Sequence, residues 1–192
     1  MLKPQIDHEI KKNVKRSAII MALRRLSESL KEDYSATKPL MFKGSDISIK
    51  SDIFEITVKK TSDTISSAVR IYDMVDAAEG ELLTMTMGLH DLTILTNEKY
   101  KEQIEKLFSK SQVKKVVTGL AAVVVKIPVE ALEINGVLYA LTKALSWENV
   151  NIIEVVSTLT EEIFFVREQD VPIAFAAFKD LISKNNASKK PW

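Results

Sequence analysis

The stretch that decides the fold is LAAVVVKIPVEALEINGVLYALTKALSWENVNIIEVVSTLTEEIFFVREQDVPIAFAAFKDLIS, residues 120–183. Apolar and β-branched runs alternate in it with segments whose apolar residues recur at helical spacing. The pattern predicts strand, helix, two strands and a closing helix, with short connections. In chain order these are a strand at Ala121–Ile127, a helix from Asn135-Gly136, a strand at Asn151–Val156, a turn at Glu161-Glu162, a strand at Ile163–Val166 and a helix opened by Asp170 and Pro172.

The same order of elements occurs once more upstream, from about residue 53 to about residue 117. Phe54–Val58 alternates as a half-buried strand does, and a helical face, two strands joined at His90-Asp91 and a further helix follow it. Two β-rich halves of any α/β protein look alike at this level, but the sequence favours a tandem pair. The predicted class is α+β, and the predicted segments are an N-terminal basic helix and linker (1–44), a first repeat (45–118), a second repeat (119–184) and a poorly ordered tail (185–192).

The second repeat lacks one strand. After its closing helix only the polar residues 185–192 remain, whereas the first repeat has two β-type runs at its start, Asp46–Ile49 and Phe54–Val58, separated by Lys50-Ser51-Asp52. An unpaired sheet edge is an aggregation hazard. We therefore predict that Ile47–Ile49 pairs with the sheet of the second repeat, so that the repeats are interleaved.

Composition excludes several classes of function. The chain has 192 residues, a formal net charge of +1 and no cysteine, so it offers no disulfide and no thiolate ligand. Its five glycines are scattered and form no phosphate-binding loop, and His8 and His90 are too few for a histidine metal site. We predict no catalytic activity, no metal and no cofactor. Apolar runs far shorter than about 20 residues predict no membrane span, and the expected location is the cytoplasm.

The start of the helix at Asn135-Gly136 has the chemistry of an amino-acid site. Backbone N–H groups at a helix N-terminus bind carboxylates, and glycine allows a close approach of the ligand. The asparagine side chain can hydrogen-bond an ammonium group. The alternative is an ordinary N-cap followed by a turn glycine, with no ligand at all.

The segment NGVLYALTKALSWENVNIIEVVSTLTEEIFFV (135–166) resembles the ACT domains, amino-acid-binding regulatory modules, and most of all those of aspartate kinases. The resemblance implies ferredoxin-like βαββαβ units that pair as a homodimer or higher homo-oligomer. It implies an amino-acid ligand held between the loop at Asn135, Gly136 and Val137 and the second strand of a neighbouring domain, here Asn151-Ile152. The long acidic loop 128–134 departs from the family pattern. Nothing resembles the kinase domain, so a stand-alone regulator is expected.

The N-terminal region predicts one amphipathic helix, since Ile19, Leu23, Leu26 and Leu30 fall at helical spacing. A basic run before it consists of Lys11, Lys12, Lys15 and Arg16. Such a run is usually a solvated face, but a basic helix can also contact phosphates. Two alternatives to an amino-acid sensor therefore stay open: a transcription regulator that contacts DNA through this helix, and a purely structural dimerisation module.

Overall fold

The computed structural model describes residues 3–11, 13–26, 41–75 and 80–187. Six antiparallel strands form one sheet in the order β2-β3-β1-β4-β6-β5. The helices are α1 (Lys3–Ile10), α2 (16–26), α3 (Ser62–Met74), α4 (Lys101–Glu105), α5 (Val137–Trp147) and α6 (Val171–Ala187). The strands are β1 (Asp46–Lys59), β2 (Leu83–Met87), β3 (Asp91–Asn97), β4 (Val113–Lys126), β5 (Glu154–Ser157) and β6 (Glu161–Arg167).

The two central strands, β1 and β4, each run through both repeats. Ile47–Ile49 at the start of β1 lies opposite Val123–Val125 at the end of β4, which is the opening strand of the second repeat. The predicted pairing of Ile47–Ile49 is therefore present. The expected break at Lys50-Ser51-Asp52 is not a break, because β1 continues across it as one strand of 14 residues. Likewise the predicted strand Ala121–Ile127 is not separate from the end of the first repeat, because residues 113–126 form one strand, β4.

Each repeat has the ferredoxin-like arrangement. The first uses the second half of β1, then α3, β2, β3, α4 and the first half of β4, which gives the order β2-β3-β1-β4. The second uses the second half of β4, then α5, β5, β6 and α6, and it takes its fourth strand from the first half of β1, in the order β1-β4-β6-β5. The predicted α+β class, with two interleaved βαββαβ units, is confirmed.

Both long strands are bulged at the same place. Asp52 and Gly119 are each the seventh residue of their strand, and both have positive φ, 56° and 65°. A carboxylate accepts each of their backbone N–H groups: Glu98 Oε1 is 2.7 Å from the nitrogen of Gly119, and Glu168 Oε1 is 3.1 Å from that of Asp52. Each of these glutamates opens the short 3-10 turn that follows β3 or β6. The two contacts are thus equivalent under exchange of the repeats.

Three apolar clusters form the core. One packs α3 and α4 on the first repeat, and another packs α5 and α6 on the second, with Phe164 and Phe178 in contact at a ring centroid distance of 5.1 Å. The third lies on the opposite face of the sheet, because its β6 residues alternate with those that face the helices. It joins the two repeats through Ile53, Leu95, Val117, Leu120, Ala122, Ile163 and Phe165.

The segment assigned to a linker ends in a core anchor. Met41 and Phe42 are both fully buried, and they pack in the cluster formed by α5, α6 and the second half of the sheet. The linker interpretation is therefore wrong at these two residues. Leu30 and residues 31–40 of the predicted linker lie outside the described part of the chain.

Other element boundaries also differ from the prediction. Glu161 and Glu162 do not form the turn, since both belong to β6 and the turn lies just before them. Asp91 likewise opens β3. The N-terminal region has a second helix, α1, ahead of the predicted one, and Leu23 and Leu26 of α2 are exposed. Helix α6 continues to Ala187, three residues beyond the expected end of the second repeat, and residues 188–192 are outside the described ranges.

Candidate functional site

The N-terminus of α3 in the first repeat is closed by its own side chains. The Thr64 N–H donates to Thr61 Oγ1 at 3.2 Å, and the Thr61 N–H donates to Thr64 Oγ1 at 2.9 Å. This capping box satisfies donors that would otherwise be free at the helix start. Only residues 60 and 61 separate β1 from α3. At the start of α3 in the first repeat, these donors are therefore already used by the helix's own side chains.

The N-terminus of α5 in the second repeat is built differently. Its N-cap is Gly136, with φ of 92°, and glycine has no side chain with which to cap the helix. Ten residues, 127–136, separate β4 from α5, and they include a 3-10 turn at Val129–Glu133. Asn135 is exposed and Val137 is buried. The positive φ explains the glycine at this position, since other residues adopt that conformation at a cost.

The predicted site residues fall into two groups. Asn135, Gly136 and Val137 lie at the N-terminal end of α5, whereas Asn151 and Ile152 follow its C-terminal end. A helix of 11 residues is about 16 Å long, so one copy of the second repeat does not bring the two groups together. Asn151 and Ile152 also precede β5, which begins at Glu154 and not at Asn151 as predicted.

Glu162 was predicted as a turn residue, but it is a buried residue of β6. It is only 7% exposed, and it lies opposite Val125 of β4 and Ser157 of β5. Its Oε1 accepts a hydrogen bond of 3.0 Å from the Ser157 hydroxyl, while Oε2 is buried with no hydrogen-bond partner among the described residues. A buried polar atom without a partner is unusual in a folded protein. The available sequence signal was that Glu162 directly precedes the apolar run Ile163–Val166, so that a strand including it places Glu162 on the same face as Phe164.

Burial raises the pKa of the Glu162 carboxyl above its ordinary value of about 4.5, and the hydrogen bond from Ser157 lowers it in part. A carboxyl with a raised pKa in the folded state favours folding when it is protonated. Its favourable contribution is therefore complete below the pKa of the unfolded chain. It is lost as pH rises through the folded pKa.

This linkage predicts the behaviour of Glu162→Gln, which is neutral at every pH. Below about pH 4 the variant and the original protein should have similar free energies of unfolding, because Glu162 is then neutral too. As pH rises, the variant should become the more stable of the two. Urea unfolding between pH 4 and pH 8 measures the difference, and exposed Glu161→Gln is the matched control. A difference that does not grow with pH would contradict the prediction.

Comparisons with known proteins add the family context. No family model matches the chain, and no curated protein matches it either. Among solved structures, the aspartate kinase of Clostridium acetobutylicum matches with a TM-score of 0.57 and 18% identity, over 71% of this chain and 34% of the kinase. The ligand-free regulatory subunit of Thermus thermophilus aspartate kinase matches with a TM-score of 0.56 and 9% identity, over 70% of this chain and 95% of that subunit.

The chain has the fold of an aspartate kinase regulatory region. A third match is Escherichia coli aspartokinase III in complex with lysine and aspartate, with a TM-score of 0.50 and 12% identity, over 70% of this chain and 32% of the enzyme. This chain spans about a third of the length of the Clostridium kinase. The resemblance to the ACT domains of aspartate kinases is thus confirmed at the level of the fold.

The described residues contain no group of three or more acidic or histidine side chains that could hold a metal ion. None of the described helices is long and apolar enough to cross a membrane. Of the basic run, Lys11, Lys15 and Arg16 are exposed at the turn between α1 and α2, and Lys12 is outside the described residues.

Proposed function

We propose that this protein is a regulatory module that binds an α-amino acid at the N-terminal end of α5. The observation that supports this most is the contrast between the two repeats. Thr61 and Thr64 cap α3, whereas Gly136 leaves the start of α5 without a side-chain cap. Free N–H groups at a helix start, together with the helix dipole, favour a carboxylate. Asn135 is exposed beside them and offers a side-chain amide to the ligand.

The second part of the proposed site comes from another copy of the chain. Asn151 and Ile152 are at the far end of α5 in their own copy, so they reach a ligand only across an interface. Two features favour a homodimer: β5 is an edge strand, and α5 exposes Leu138, Tyr139 and Trp147. Exposed edges and apolar patches are typical of surfaces that pair.

A thermal unfolding screen against the twenty amino acids tests the proposal. A ligand that binds only the folded protein stabilises it by about 2.7 kcal/mol at a concentration 100 times its Kd. L-lysine and L-aspartate are the first probes, because both are present in the Escherichia coli structure. Light scattering on the same samples should show a dimer. Absence of stabilisation by any of the twenty would contradict the proposal and favour a purely structural module.

Replacing Gly136 by valine should abolish the stabilisation by the amino acid. The φ of 92° is unfavourable for a β-branched residue, and the side chain would occupy the space next to the helix start. We expect the ligand-free variant to lose about 1–2 kcal/mol of unfolding free energy from backbone strain alone. Gly80→Val is the matched control, because Gly80 also has positive φ (75°) but lies in the first repeat. An unchanged ligand-induced shift in Gly136→Val would place the site elsewhere.

A further inference from the structure

We propose that Glu162 is the group that binds the ammonium of the amino acid, and that it makes the second repeat selective for ligands with both a carboxylate and an ammonium. This inference rests on the proposed function and assigns a residue that lies outside both predicted groups. The carboxylate of the ligand would bind at the start of α5. The partnerless Oε2 of Glu162 would accept the ammonium.

The first argument is the comparison with the equivalent position of the first repeat. Strands β3 and β6 have seven residues each, and their second residues are Leu92 and Glu162. Leu92 lies opposite Val58 and Met87 in the same register in which Glu162 lies opposite Val125 and Ser157. Both positions are buried, at 1% and 7% exposure. A carboxyl in a place that accepts leucine destabilises the fold. Core packing therefore does not explain why the second repeat has a glutamate at this position.

The second argument is the position of Glu162 relative to α5. Glu162 shares a sheet face with Val125 and Phe164, which belong to the apolar cluster under α5 and α6. Just beyond it, the Ile127 N–H donates to the Thr160 carbonyl at 2.8 Å, and the chain then leaves the sheet toward Gly136. Because α5 follows β4, its N-terminus lies at the end of the sheet where β4 ends. Val137 packs in the same cluster as Val125 and Ile127.

The third argument is chemical consistency between the two repeats. The first repeat has a closed helix start and an apolar residue, Leu92. The second repeat has an open helix start and a buried carboxyl that already accepts a hydrogen bond from Ser157. An anion-binding helix start and a buried carboxylate, taken together, match the two charges of a zwitterion. A buried carboxylate that binds an ammonium group becomes part of an ion pair, which offsets the free-energy cost of burying an unpaired charge.

The test compares ligands and variants in one scheme. The amino acid that gives the largest shift in the thermal screen is titrated calorimetrically, as is its Nα-acetyl derivative, in which the nitrogen is uncharged. The variants are Glu162→Leu, which installs the residue of the first repeat, and Glu162→Gln, which keeps the shape. Exposed Glu161→Gln is the control.

For the original protein and the control, acetylation should raise Kd by about 10- to 100-fold, as expected for loss of a hydrogen-bonded charge pair. Glu162→Leu and Glu162→Gln should each raise Kd of the free amino acid by a similar factor, and acetylation should then have little further effect. If both variants bind the free amino acid as tightly as the original protein, the role of Glu162 is refuted while the proposed site stands. If the original protein binds no amino acid, both are refuted.

Discussion

Replacing Phe42 by alanine is expected to lower the free energy of unfolding by about 3–5 kcal/mol, as for other fully buried phenylalanines. Phe42 has 0% exposure and packs with Phe164 and Phe178 of the second repeat. Its removal leaves a cavity, because the structure around a deleted core side chain relaxes only in part. Urea denaturation followed by circular dichroism measures the effect.

Two further variants make this experiment specific. Phe178→Ala removes an equally buried ring from α6 and should cost a similar amount. Tyr72→Ala removes a ring on α3 that is 69% exposed, and it should change the free energy of unfolding by less than about 0.5 kcal/mol. A loss below about 1 kcal/mol in Phe42→Ala would show that the segment before β1 is not part of the core.

The anchor at Met41-Phe42 could not be predicted from local pattern. The three apolar residues 40–42 are too few to show a period, and the nearby Pro39 and Gly44 are typical of a loop. Their burial depends on the position of α6, which is more than 100 residues away. The interleaving of the repeats, in contrast, was predictable from the number of strands in the sequence. The second repeat visibly lacked a strand, and only one spare β-type run existed in the chain.

The continuity of β1 and β4 was hidden by polar residues. Lys50-Ser51-Asp52 and Thr118-Gly119 are typical of turns, yet each lies at a bulge inside a long strand. A bulge uses the same residues as a turn, because both need a residue that tolerates positive φ. Distinguishing them required the partner strand, which only the three-dimensional structure supplies.

The candidate site was predicted in part. The helix start at Gly136 depends on local chemistry, so the sequence was sufficient to select it. The distance between Gly136 and Asn151 depends on the length and direction of α5, which local sequence does not give, although the family resemblance already implied that the second group belongs to a neighbouring domain. Glu162 was mistaken for a turn residue because Glu161-Glu162 is strongly polar, although it directly precedes the apolar run Ile163–Val166.

The two glutamates that hold the bulges connect the repeats. Glu98 follows β3 and binds the N–H of Gly119 in β4, while Glu168 follows β6 and binds the N–H of Asp52 in β1. The Gly119 bulge has a second contact, since Arg167 donates to the Thr118 carbonyl at 2.9 Å. Because β1 and β4 belong to both repeats, each carboxylate fixes the point where the sheet passes from one repeat to the other.

We therefore expect Glu98→Ala to lower the free energy of unfolding by about 1.5–3 kcal/mol, the range for a hydrogen bond to a charged group. Glu168→Ala should cost less, because its hydrogen bond is longer and more exposed. Glu98→Gln should retain part of the stability, since the amide oxygen still accepts the N–H, although without the charge.

The control is Glu148→Ala, an exposed glutamate after α5, which should stay within about 0.5 kcal/mol of the original protein. Equal stability of Glu98→Ala and Glu148→Ala would show that the bulge forms without its carboxylate.

A double variant, Glu98→Ala with Glu168→Ala, tests whether the two bulges are coupled between the repeats. If the two contacts act on separate bulges, their costs should add, whereas a shared effect on the sheet junction should make the double variant differ from the sum. Since both bulges lie in the same pair of strands, β1 and β4, we expect a measurable departure from additivity.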